Sequence, residues 1–190
     1  MKARLWKGLV ALVRETYTAE LGEGSVPRPL MMPLVRGELV GLISVPAPEA
    51  GQDAHAAIAE LANLAAAAGA DEVVLAWETR DVATACELPV VGPAPCVNVV
   101  LATPDGHVLH SFPYAEQLLC HSPEGWASTA PDWQPAPAPQ PGGELIPPIR
   151  AAVGRCFTPV ELAHPDPFGV TVGRMEQDGY HISLSPAFAR

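Results

Sequence analysis

Apolar residues fall into two kinds of run along this chain, and the alternation between them predicts most of its elements. Leu39-Val40-Gly41-Leu42-Ile43-Ser44-Val45 is a nearly unbroken apolar stretch of strand length, closed by Pro46-Ala47-Pro48, which cannot continue a ladder. From Asp53 to Ala68 the period changes. Ile58, Leu61, Leu64, Ala65 and Ala68 recur at steps of three and four, one helix face wide, and alanine, the best helix former, fills most of the rest. Gly69 supplies the left-handed stop. Asp71-Glu72-Val73-Val74-Leu75-Ala76-Trp77 then resumes as a strand. This succession predicts a parallel pair, strands near 39–45 and 73–77, joined by a right-handed crossover.

The flanks carry weaker patterns. Leu5, Leu9, Leu12, Val13 and Tyr17 share one face of a helix over 2–21, expected to pack on the protein's own sheet in preference to a membrane surface. Leu30–Val35 and Glu38–Val45 flank Arg36-Gly37 as a hairpin, with Pro33 marking the first as an edge strand. Thr79 or Asp81 is placed to cap one helical turn ending at Cys86 or Leu88. Val97–Leu101 and His107–Phe112, around Pro104-Asp105-Gly106, form a hairpin with a preset turn. Pro148 opens a helix bearing Ile149, Val153 and Cys156, and Thr158-Pro159-Val160-Glu161 has capping-box spacing for another. Phe168–Met175 and Tyr180–Leu184, around Asp178-Gly179, read as a second hairpin.

The expected fold is therefore α/β (or α+β): a mixed sheet with one right-handed βαβ crossover, antiparallel hairpins near 97–112 and 168–184, and helices mainly on one face. Residues 1–121 form the α/β core domain with its N-terminal amphipathic helix. Residues 122–148 hold eight prolines in 27 positions, the composition of an extended connector, or of a surface strap held by Trp126 and Trp133. Residues 149–190 are expected to pack on the core as part of one domain.

Charge narrows the function classes. Residues 1–37 carry six Lys/Arg against three Glu, a balance of +3, whereas 38–125 carry twelve acids against Arg80 alone, −11. A region with one cation cannot neutralise a run of phosphates, which counts against nucleic acid as a partner. The only lysines are Lys2 and Lys7, so the core has none for a Schiff base or a phosphate loop. The turn after Val45 also loses amide donors to its prolines. Cysteines 86, 96, 120 and 156 form no Cys-x-x-Cys pair, and neither a secretory signal nor a span of transmembrane length is visible. Reduced thiols in the cytoplasm follow as the expectation.

Candidate chemistry gathers at two places. Glu78, Arg80 and Asp81 stand at the carboxyl end of the second crossover strand, where open α/β sheets place ligands. Glu78 and Asp81 could hold a divalent cation or act as general acid and base, with Glu87 about a turn further on. Their ordinary role would be a loop in which Asp81 caps a helix and Arg80 pairs with a neighbour. His107, His110, Cys120 and His121 carry zinc-type donors within fifteen residues. Residues three apart on a strand face opposite ways, which counts against His107 and His110 sharing a metal. The serines lack a Gly-x-Ser-x-Gly frame, and Cys86 or Cys120 could serve as a nucleophile only beside a histidine, with Glu87 raising the Cys86 pKa. The leading expectation is a non-enzymatic, cofactor-free module that binds a protein partner or itself. The proline strap, the N-terminal helix and an exposed edge at Leu30–Val35 point that way. The alternatives are a small metal-dependent hydrolase using Glu78 and Asp81, and a small-ligand-binding domain that takes a small apolar ligand in a pocket beside Trp77.

Overall fold

Leu9, Val13 and Tyr17 recur every four residues and form the buried stripe of the first helix, α1 (Ala3–Gly22). The computed structural model describes residues 1–25, 27–46, 53–121, 127–160 and 162–189, without the side chains of Cys120, His121 and Ala127. In it the α1 stripe packs on the chain's own sheet. The chain then runs through β1 (Leu30–Val35), β2 (Glu38–Leu39) and β3 (Gly41–Ser44). Arg36 and Gly37 make the tight turn at φ 52 and 78, and the Arg36 backbone N–H donates to both Asp71 carboxylate oxygens at 3.0 and 2.9 Å. The alanine-rich helix is α2 (Ala54–Glu60) and α3 (Ala62–Ala68), separated by Leu61, whose dihedrals stay helical. Asp53 caps its start by accepting from the Ala56 N–H, and Gly69 ends it at φ 66.

Next come β4 (Glu72–Glu78), α4 (Thr79–Ala85), β5 (Cys96–Thr103), β6 (Gly106–His121), β7 (Ala127–Trp133) and β8 (Gln140–Pro141). The chain closes with α5 (Pro147–Arg155), α6 (Pro167–Gln177) and β9 (His181–Leu184). The strands form a curled antiparallel sheet in the order β7-β6-β5-β4-β1-β3-β9, with β2 beside β1 and β8 beside β6. The fold is thus mixed α+β. Among the described residues no helix is long and apolar enough to cross a membrane.

Four expectations need correction. First, β3 and β4 do run in the same direction, since each is antiparallel to β1, but β1 lies between them. There is no side-by-side parallel crossover. An unbroken apolar run reports a strand covered on both faces, and here that cover belongs to antiparallel strands. Second, Leu30–Val35 is central, paired to β4 along most of its length. Pro33 is tolerated because its nitrogen faces Val40, where the ladder breaks between β2 and β3; its carbonyl still accepts from the Val40 N–H at 2.9 Å.

Third, Phe168–Met175 is helical. Asp166 caps α6 by accepting from the Gly169 N–H at 2.9 Å, with Pro167 in the first turn. Gly179, at φ 86, ends that helix, and the strand that follows pairs with β3. Fourth, Thr158–Val160 is not helical, and Glu161 lies outside the described residues. Ala47 and Pro48, two of the three residues expected to close the first apolar strand, also lie outside them.

The two faces of the sheet bury separate cores. On one, Met31, Ile43, Val73, Leu75, Trp77 and Val100 pack against α2, α3, α5 and α6 through Ile58, Leu61, Leu64, Ile149, Ala152 and Met175. On the other, Leu30, Met32, Leu34, Val74, Ala76, Val97 and Val99 meet α1. Trp133 ends β7 with its ring 5.4 Å from that of Tyr114 and 4.5 Å from the Arg14 guanidinium carbon. Trp126 lies outside the described residues.

Candidate functional site

Consecutive residues of a strand face opposite ways, so the end of β4 sends Trp77 toward the α5 face and Glu78 toward α1. Glu78 is only 2 % exposed. One carboxylate oxygen accepts from the Asp81 backbone N–H at 2.9 Å and the other from the Cys96 N–H at 3.0 Å. Glu78 itself, and neither Thr79 nor Asp81, is therefore the cap of α4. Its two oxygens join α4 to the start of β5.

Asp81 has its carboxyl pushed up to about 7, chiefly by burial, then by the charges of Glu78, Glu116 and Glu20, with Arg80 pulling the other way. Burial likewise raises Glu20, and raises Tyr17 and Tyr114 beside the same acids. The structure thus brings Glu78 and Asp81 near two tyrosines and two further carboxylates that sequence reasoning did not connect. Arg80 turns outward to Glu116 at 3.0 Å, with both side chains over two-fifths exposed. An ion pair that open contributes under about 1 kcal/mol. Glu87 stands exposed past the end of α4, at φ 52.

A cavity of about 430 Å³ opens on the opposite face. Trp77, Leu88, Leu109, Leu145 and Ile146 wall it, the loop Pro89–Pro93 borders it, and Arg150 and Glu144 stand at its edge. Its polar side is a ladder of three side chains. The Thr79 hydroxyl donates to the Cys96 carbonyl at 3.1 Å, Asn98 Nδ2 donates to Thr79 Oγ1 at 2.8 Å, and the Ser111 hydroxyl donates to Asn98 Oδ1 at 2.9 Å. Thr79 and Asn98 are only 6 % and 8 % exposed. Burying polar groups this deeply is tolerable because each has a partner.

The histidines do not converge. His107 lies on the cavity face, its Nε2 donating to the Gly143 carbonyl at 2.8 Å, while His110 lies on the other, its ring 4.4 Å from that of Trp6. The side chains of Cys120 and His121 lie outside those described. Among the described residues no three His, Cys, Asp or Glu side chains gather as a metal site. Cys86 is buried, and its thiol is pushed up by that burial and by Asp53, where Glu87 was expected to act. His55 Nε2 meets the Cys86 carbonyl oxygen at 3.0 Å.

Asn98, Ser111 and Arg150 are residues whose place at the cavity sequence reasoning missed, and Thr79 was read there only as a helix cap. A signal existed for two of them. Asn98 interrupts an otherwise apolar strand, and the turn at Thr103–Gly106 sets the register that places Ser111 directly opposite it. Comparison of the chain with protein-family models, with curated proteins and with solved structures finds no match.

Proposed function

We propose that this protein binds a small molecule in the cavity beside Trp77. The observation that carries this reading is the pairing of an apolar wall with a buried, fully oriented polar ladder, Thr79–Asn98–Ser111, along one side. Small-molecule sites have this construction: mostly apolar surface for affinity and a few fixed polar groups for orientation. Three of the features that suggested a protein partner are occupied within the chain, while Pro135–Gly142 of the proline strap stays exposed. The α1 stripe is buried on the sheet, Leu30–Val35 is a central strand, and Trp133 lies against Tyr114 and Arg14. The hydrolase reading loses support from the two backbone N–H groups that already hold the Glu78 oxygens.

The test is a fragment titration followed by ¹H–¹⁵N correlation spectra. Small aromatic and branched aliphatic compounds at millimolar concentration should move the Trp77 indole and Asn98 side-chain resonances together. Ala83→Met, which projects into the cavity, should suppress those shifts while leaving the spectrum folded. Failure of every fragment to move either resonance would remove the proposal.

One observation favours a second reading, self-association. Leu118 and Leu119 are 64 % and 61 % exposed, and the β6–β7 register slips there, leaving Leu119 as an extra residue in the ladder. Light scattering on the wild type and on Leu118→Asp/Leu119→Asp decides it: a monomer in both cases ends this reading.

A further inference from the structure

We infer that the ligand of the cavity is a small apolar carboxylic acid that also carries a hydroxyl group, an assignment that rests on the cavity being the binding site. Donor and acceptor accounting along the ladder sets the hydroxyl end. Each hydroxyl proton is committed inward: Thr79 to the Cys96 carbonyl, Ser111 to Asn98 Oδ1. Asn98 gives one amide hydrogen to Thr79. What remains for a ligand is the second Asn98 amide hydrogen, on a side chain more than nine-tenths buried, the free lone pairs of Ser111 Oγ and one of Thr79 Oγ1. A hydroxyl satisfies the first two, accepting from Asn98 and donating to Ser111, and an ether or a hydrocarbon cannot.

The charged end holds one cation and one acid. Arg150 and Glu144 are the charged residues lining the cavity. Arg150 Nη2 donates to the Leu145 carbonyl at 2.9 Å, which anchors the guanidinium at the edge and leaves its other N–H groups for an anion. Among the described residues no carboxylate lies within 4.0 Å of it. Arg150 belongs to the first turn of α5, where Pro147 and Pro148 carry no N–H and the Arg150 N–H already donates to the Ile146 carbonyl at 2.9 Å, so contact with an anion falls to the side chain. The preference for an anion therefore rests on the guanidinium, working against Glu144 on the same lining. Between the two ends, Trp77, Leu109, Leu145 and Ile146 accept a ring or a short branched chain.

Three probes separate the parts of the claim: 4-hydroxyphenylacetate, phenylacetate and 4-hydroxyphenylacetamide, each titrated at constant ionic strength and followed on the Trp77 indole and Asn98 side-chain resonances. The hydroxy acid is expected to bind at least about tenfold tighter than the amide, the worth of one charge-assisted contact, and several-fold tighter than phenylacetate. Arg150→Gln should erase the preference for acid over amide, Arg150→Lys should restore part of it, and Ser111→Ala should erase the preference for the hydroxyl. Arg150 is exposed, so its variants should stay folded. Equal binding of acid and amide, or a preference that survives in Arg150→Gln, overturns the ligand class and leaves the cavity reading standing. If no probe moves either resonance, both fall together.

Discussion

Asn98 donates a side-chain hydrogen to the Thr79 hydroxyl across 2.8 Å, and this bond ties the interior of β5 to the first residue of α4. Thr79 passes the link on to the Cys96 carbonyl, and Asn98 receives the same service from Ser111 on β6. Three elements are thus held in register along one side of the cavity by a polar ladder buried among apolar residues.

Removing the middle member should be costly. Asn98→Ala leaves Thr79 without its donor and Ser111 without its acceptor, and is expected to lower the unfolding free energy by about 1–3 kcal/mol. Asn98→Asp should cost more at neutral pH, because a carboxylate cannot donate to Thr79 and brings an uncompensated charge. Urea unfolding at pH 7 measures both. An Asn98→Asp variant as stable as the wild type would contradict the hydrogen-bond assignment.

Glu78 should behave as a cap and a strand tie. Glu78→Ala deprives the Asp81 and Cys96 N–H groups of their acceptors and is expected to cost about 2–4 kcal/mol, the sum of a lost cap and a buried unsatisfied donor. Glu78→Gln should fall between, since its NH₂ can only face one donor with another. Mg²⁺, Mn²⁺ and Zn²⁺ should leave the melting midpoint unmoved, because a cation bound only by the folded state would raise it. A metal-induced rise that Glu78→Gln abolishes would return the carboxylates to the list of ligand sites.

The local elements were legible in the sequence where turn chemistry and period agreed. Gly69 stops the alanine helix, Arg36-Gly37 turns the first hairpin, and Pro104-Asp105-Gly106 sets a register that runs from Thr103 with Gly106 back to Cys96 with Pro113. Strand direction was not legible. Val73–Trp77 is apolar throughout because α1 covers one side and the remaining helices the other, and a parallel strand would read identically. β1 could enter between β3 and β4 despite Pro33 only because the ladder lapses at Val40, a detail of pairing that composition does not carry. The Asp166-Pro167 start of α6 was there to be read, and the Asp178-Gly179 turn signal outweighed it. Of the site, the carboxylates were visible as charges in a sparse region. The cavity was not, since Arg150 reaches its edge from a segment 52 positions beyond Asn98.

Acid stability should carry the mark of Asp81. Its folded pKa of about 7 lies above the ordinary aspartate value, so between roughly pH 4 and 7 the folded chain holds more protons than the unfolded one. Stability then falls as pH rises through that window, and the penalty is complete above it. Asp81→Asn should therefore stabilise the protein at pH 8, change little at pH 4, and flatten the slope between. Glu20, shifted in the same direction, should leave a smaller residual slope in the variant. Urea midpoints from pH 4 to 8 test this, and an Asp81→Asn variant with an undiminished slope would assign the titration elsewhere.

Gly41 leaves no room for a side chain where β3 pairs with β9. A Cβ built there would stand 2.6 Å from the Ser183 carbonyl oxygen and 3.0 Å from the Leu184 Cα. Both are main-chain atoms, so relief requires the strands to part. Gly41→Ala is expected to cost about 1–3 kcal/mol, the usual range for overpacking. The loss should be local before it is global: amide protons of His181–Leu184 should exchange faster in the variant while those of β4 and β5 keep their relative protection. Uniform loss of protection across the sheet would mean that β9 is part of the central folding unit.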